Sequence, residues 1–114
     1  MAKRAIPNPL ERRHVIEREL AADAALRLAD AYLAEGRAWD AIGFLEKAGA
    51  RDRLAALREH AIGEGDYFLV REISRVLGED PGAARWRAVA AAATTAGKDR
   101  FAAEALRQAV RAEG

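Results

Sequence analysis

Leu28-Ala29-Asp30-Ala31-Tyr32-Leu33-Ala34-Glu35-Gly36-Arg37-Ala38-Trp39-Asp40-Ala41-Ile42-Gly43-Phe44-Leu45-Glu46-Lys47-Ala48 is the stretch that decides the fold. It reads as two helices around one glycine. Ahead of Gly36, apolar residues cover most of a helix that Asp23 opens: Ala24, Ala25, Leu26, Leu28, Ala29, Ala31, Tyr32 and Leu33. A helix apolar around so much of its girth is buried on more than one side. After Gly36, Ala41, Ile42, Phe44 and Leu45 give a second helical face from Trp39 to Ala48. Gly36 itself lets the backbone turn without a Cβ clash. The stretch therefore predicts an antiparallel helical hairpin.

The same frame recurs downstream. Ala34-Glu35-Gly36-Arg37, Gly63-Glu64-Gly65-Asp66 and Ala96-Gly97-Lys98-Asp99 can be laid over one another on Gly36, Gly65 and Gly97. Eight residues before each glycine stand Leu28, Leu57 and Val89, and four before stand Tyr32, Ala61 and Ala93. Five after stand Ala41, Val70 and Ala102, and twelve after stand Ala48, Leu77 and Ala109. Every column is apolar, and these offsets place the columns on facing sides of two antiparallel helices. A hairpin of about thirty residues, repeated three times, indicates a solenoid, because a lone hairpin cannot bury its own apolar faces.

Helix punctuation fills in the rest. Asn8-Pro9-Leu10-Glu11 reads as an N-cap, a proline at the first helical position and a capping-box glutamate, opening an extra helix from Pro9 to Glu19. Asp52, Asp66, the Asp80-Pro81 pair and Asp99 read as caps of four later helices. These reach to Ile62, Leu77, Thr95 and Ala112. Seven helices result, and no stretch alternates with a period of two, so no strand is expected. Residues 1–8 are expected to be a flexible arm. Residues 9–114 are expected to be a single all-α domain with repeats over 22–49, 52–78 and 80–112.

The first repeat resembles a tetratricopeptide repeat. It carries that family's leucine-small pair in Leu28-Ala29, its tyrosine in Tyr32, its turn glycine, and the small Ala41 followed by Leu45 and Ala48. Trp86 stands where the family often places a first-helix tryptophan, followed by Val89, Ala90, Gly97, Ala102, Leu106 and Ala109. The middle repeat departs, with Arg58 at a small position and Ser74 where a large apolar residue is expected. The turn glycines lie 29 residues apart (36 to 65) and then 32 (65 to 97), short of the family's roughly 34. A HEAT-like two-helix repeat fits the same hairpins. The resemblance implies an α-α superhelix, a protein-binding role and a concave groove lined by the first helix of each pair. By position that groove would show Leu26, Arg27, Asp30 and Leu33, then Ala56, Glu59 and Ile62, then Arg87, Ala91 and Thr94. Its mixed charge suits an amphipathic helix or an extended segment of a partner protein.

Composition excludes several other classes. The chain of 114 residues has 19 basic and 18 acidic residues, for a net charge of +1. No strong field steers nucleic acid or an anionic membrane towards it. The basic start, with Lys3, Arg4, Arg12, Arg13, His14 and Arg18, is diluted by Glu11, Glu17 and Glu19 and lacks stacking aromatics, so nucleic-acid binding is a minor alternative. Cysteine is absent, which removes disulfides and thiolate chemistry and fits a reducing, cytoplasmic setting. No secretory signal or bilayer-spanning run is read. His14 and His60 have no partners at metal-ligand spacing, no phosphate-binding glycine loop follows a strand, and Ser74, Thr94 and Thr95 have no neighbouring base. No cofactor or metal and no catalytic residue is expected; the reading is a binding protein and not an enzyme. Among the aromatics, Trp39 and Tyr67 lie beside turns and are expected to be partly exposed.

A self-associating structural protein is the alternative. The last helix spreads Phe101, Ala102, Ala103, Ala105, Leu106, Ala109 and Val110 over about 200° of its circumference. One hairpin partner and the preceding repeat would cover only part of that arc. Ala103 and Val110 are then the expected edge of a homodimer.

Overall fold

The structure is a computed structural model and describes residues 9–114. The expected arm over residues 1–8 and the Asn8 cap lie outside the described residues. Among the described residues the chain is all helix and turn: α1 (Pro9–Ala34), α2 (Ala38–Lys47), α3 (Arg51–Glu64), α4 (Tyr67–Leu77), α5 (Ala83–Thr95) and α6 (Asp99–Glu113). The helices form three hairpins, α1–α2, α3–α4 and α5–α6. They fall into two compact units, residues 1–50 and 51–114.

Six helices replace the expected seven because Pro9–Glu19 and Asp23–Glu35 are one helix, α1. Between them stands Leu20-Ala21-Ala22-Asp23-Ala24-Ala25, which contains neither glycine nor proline. Alanine on both sides carries the helix through, and Asp23 sits exposed in mid-helix instead of capping it. Other aspartates also miss the expected cap. Asp52 and Asp99 lie inside the first turns of α3 and α6. There their charge still meets the positive end of the helix dipole. Asp66 does cap α4, accepting from Leu69 N–H at 3.2 Å. α3 runs beyond its expected end at Ile62, through Gly63, and stops before Gly65.

One chemistry ends five helices. At Gly36, Gly49, Gly65, Gly78 and Gly97 the backbone takes a φ between 67° and 75°. In each case the glycine N–H bonds three residues back and the next N–H bonds five residues back, as in Arg37 to Tyr32 O and Lys98 to Ala93 O. This double bond satisfies carbonyls that the helix end would leave bare. Turns within hairpins and turns between them are thus alike.

In the unit of residues 1–50, α1 has 26 residues and α2 has 10, so α2 spans about 15 Å of a helix about 39 Å long. The buried side chains are few: Ala25 and Ala29 from α1, and Ala41, Ile42 and Leu45 from α2. Tyr32 stacks on Phe44 with ring centroids 5.6 Å apart. Leu10, Ile16 and Leu20, on the stretch of α1 beyond the hairpin, are exposed. So is Leu28, 47% exposed although its column predicted core. Its side chain lies about 100° around α1 from Ala29, the buried residue next to it.

In the unit of residues 51–114, α3 packs on α4, α5 on α6, and α3 lies beside α5. The columns are largely sealed here: Ala61, Val70, Val89 and Ala93 have no exposed surface, Leu77, Ala102 and Ala109 are buried, and Leu57 is half-buried. Val89 is in the column of Leu28, but α3 stands against its helix. Each large aliphatic side chain sealed in this way contributes about 1.5–3 kcal/mol. Tyr67, expected to be partly exposed, is 1% exposed. Its ring touches Phe68 and Trp86 at 5.0 and 5.6 Å, and its hydroxyl accepts from Gln108 Nε2 at 3.1 Å. Asp80 does not start α5, which begins at Ala83. Its two carboxylate oxygens accept from Gly82 N–H at 2.8 Å and from Trp86 Nε1–H at 3.1 Å. The aspartate thereby fixes both the approach to α5 and the orientation of its largest core side chain.

The two departures of the middle repeat turn out to be one feature. Arg58, at the small position, reaches across to α4 and donates to Ser74 Oγ at 3.2 Å, in the place of the missing large residue. The same guanidinium donates to Glu79 O at 3.0 Å and to the Glu79 carboxylate at 3.2 Å. Arg51 donates to Leu77 O at 3.0 Å. A long side chain on α3 fills the space left by a short one on α4, and both arginines satisfy carbonyls at the α4 C-terminus. Arg58 Nε stays buried without a partner among the described residues, a cost set against three hydrogen bonds.

Candidate partner-binding surface

α3 and α5 are the first helices of their hairpins and run side by side. What brings them close is Gly65. A Cβ built there would stand 2.6 Å from Ala93 Cα and 2.8 Å from the Ala92 carbonyl carbon, so no other residue leaves room for α5. With the two helices this near, Leu54, Ala61 and Ile62 turn into the core from α3, and Val89 and Ala93 do so from α5. The opposite face of each helix is left outside. It carries Ala56 and Gly63 on α3 and Ala88 and Ala91 on α5, all exposed.

Charges rim this row of small residues. Arg85 of α5 pairs with Glu59 of α3 at 2.9 Å, tying the two helices across the face. His60 lies 3.4 Å from the Glu64 carboxylate. Lys98 Nζ donates to Glu64 O at 3.4 Å. Thr95, also exposed, donates its hydroxyl back to Ala91 O at 3.1 Å. The face is shallow, lightly apolar and bordered by both signs of charge.

The residues expected in the groove divide between the two units. On α1, Arg27 and Asp30 are exposed, and Leu26 and Leu33 are half-buried on one stripe, seven residues apart. In the α3–α6 unit, Glu59 and Ala91 lie on the α3–α5 face. Ile62 does not: it is buried in the core. Arg87 and Thr94 share a stripe of α5 turned towards α6, where Arg87 pairs with Glu113. Sequence reasoning missed Arg85 and Lys98. Arg85 reaches Glu59 across 26 positions, and no local pattern marks so distant a pair.

The expected dimer edge is exposed. Ala103 and Val110 lie outside on α6, and Leu106, which was not counted in that edge, joins them. Arg107 bonds the Glu104 carboxylate beside them, and that hydrogen bond holds Glu104 below the ordinary glutamate range. Trp39 on α2 is 54% exposed, as its place beside a turn implied. Among the described residues no group of three or more His, Cys, Asp or Glu side chains could hold a metal ion, and no helix is long and apolar enough to cross a membrane. The chain matches no protein-family model, no curated protein and no solved structure.

Proposed function

We propose that this chain is a protein-binding module of the tetratricopeptide-like kind, and that it holds a helix or extended segment of a partner against the first helices of its hairpins. The observation that carries this reading is the α3–α5 face. Two first helices are brought together by a glycine that admits no Cβ, and together they present small side chains. Small residues let a partner's backbone approach closely, and the mixed rim of Glu59, Arg85, His60, Glu64 and Lys98 offers both signs of charge to orient it. The small or medium residue five after each turn glycine, buried in all three hairpins as Ala41, Val70 and Ala102, supports the same repeat assignment.

Photo-crosslinking tests this. A benzophenone side chain is placed in turn at Ala56, at Ala91 and at Arg75, an exposed residue of α4. In extracts of the source cell the first two positions are expected to capture the same protein, and Arg75 not. Ala91→Arg should abolish the capture while the helical spectrum stays unchanged. Capture that is indifferent to position, or that yields nucleic acid instead of protein, would overturn the reading.

A further inference from the structure

The second helix of the last hairpin has a face that none of the described helices covers. Ala103, Leu106 and Val110 recur at three- and four-residue spacing and so form one stripe along α6. Val110 is 69% exposed and Leu106 is 51% exposed. Three residues of α6, each large or small apolar, form with Arg107 and Arg111 a single open trough. One shoulder of this stripe is basic. Arg100, Arg107 and Arg111 lie seven and four residues apart, on one side of the helix. Glu104 is the carboxylate set among them, bonded to Arg107. Asp80 lines a hollow with Arg111 as well, and three guanidiniums against these two carboxylates still leave an excess of positive charge beside the apolar stripe. The other shoulder is closed by α5, where Arg87 and Glu113 neutralise each other.

This charge pattern decides what fits. In an isologous antiparallel pair, the two-fold axis lies in the interface and returns each shoulder to its own kind. Arg100, Glu104, Arg107 and Arg111 would then meet the same four residues of the second copy, so the excess of positive charge would face its own kind. In a parallel pair the basic shoulder would meet the neutral Arg87–Glu113 pair. Neither arrangement supplies the negative charge that the shoulder lacks. We infer that the α6 face docks an amphipathic helix of a different protein, one that sets an apolar stripe on Ala103, Leu106 and Val110 and an acidic flank against Arg100, Arg107 and Arg111. This surface is separate from the α3–α5 face.

The test uses the full chain and two designed helical peptides, each roughly four turns long. Both carry the same leucine-alanine stripe. One is flanked by glutamates and the other by lysines. Fluorescence anisotropy is expected to show the glutamate peptide binding about tenfold or more tightly than the lysine peptide, with the gap closing as salt rises. Val110→Glu should remove binding of both, and Arg107→Glu with Arg111→Glu should invert the preference, each with an unchanged helical spectrum. Ala91→Arg, on the α3–α5 face, should leave both affinities as they were, so that failure here and failure of the proposed groove are told apart. Equal affinity for the two peptides, or no binding of either, would overturn the inference. So would sedimentation showing a dimer at tens of micromolar that Val110→Glu converts to a monomer, since a second copy would then be the occupant.

Discussion

In the α1–α2 unit a long helix meets a short one on a single side. In the α3–α6 unit four helices of 11 to 15 residues meet one another on several sides. The first unit seals five side chains, three of them alanine; the second seals an aromatic and aliphatic core built on Tyr67, Val70, Ile73, Trp86 and Val89. Yet the first hairpin carries the fullest set of repeat residues and the middle one the poorest. Leu28 and Val89 make the point, since they hold the same column. Val89 is sealed because α3 stands beside its helix, and among the described residues no hairpin precedes α1 to do the same for Leu28. A repeat motif specifies a hairpin and its turn. Burial of the outward columns depends on a neighbour, which the motif does not contain.

The turn glycines should separate the two units by the largest margin. Gly36 and Gly65 share a left-handed backbone, with φ of 73° and 70°. Gly36 has nothing within 4 Å of a built Cβ, whereas Gly65 faces the α5 backbone. Gly36→Ala should therefore cost only the conformational strain, about 1–2 kcal/mol. Gly65→Ala adds an overlap with backbone that cannot move aside, and should cost about 3–5 kcal/mol in all. Urea unfolding of the two variants checks this. Equal losses would mean that α3 and α5 do not approach as described.

The Arg58–Ser74 contact holds α3 to α4 within the larger unit. Arg58→Ala should cost about 2–3 kcal/mol, since it empties volume and leaves Ser74 and the Glu79 carbonyl without their donor. Adding Ser74→Leu restores the residue pair that the other repeats favour. The double variant should recover about 1 kcal/mol or more relative to the sum of the singles, read from a double-mutant cycle. Additivity would show that the two positions do not share one space.

Much of the fold was legible because its signals are local. Glycine at a helix end and the apolar columns around it placed the α3–α4 and α5–α6 hairpins to within a few residues and the turn of the first at Gly36, but not the start of α1. What was not legible required contact across the chain. The break expected at Asp23 failed because an aspartate among alanines marks a cap only if something else ends the preceding helix. Arg58 and Ser74 looked like two defects until their partnership was visible, 16 positions apart. Tyr67 stood beside a turn as Trp39 does, and only the arrival of Trp86 and Gln108 from α5 and α6 buries it. The candidate surface was half legible. Glu59 and Ala91 were placed on it, whereas Arg87 turned to α6 and Arg85 took the bridging role.

A smaller effect is expected at the shared column itself. Val89→Ala should cost about 2 kcal/mol and Leu28→Ala about 1 kcal/mol or less, although leucine loses more atoms. A larger loss at Leu28 would mean that something covers it in solution.

Native-state hydrogen exchange measures the difference between the units most directly, because it reads the opening free energy of each amide. Amides of Val70, Ile73, Val89 and Ala93 are predicted to be the slowest, opening only with global unfolding. Those of Ala29, Ile42 and Leu45 are predicted to open at a free energy lower by about 1–3 kcal/mol, with the α1 amides before Ala22 faster still. Uniform protection of both sets, or slower exchange in α1–α2 than in α3–α6, would contradict the account.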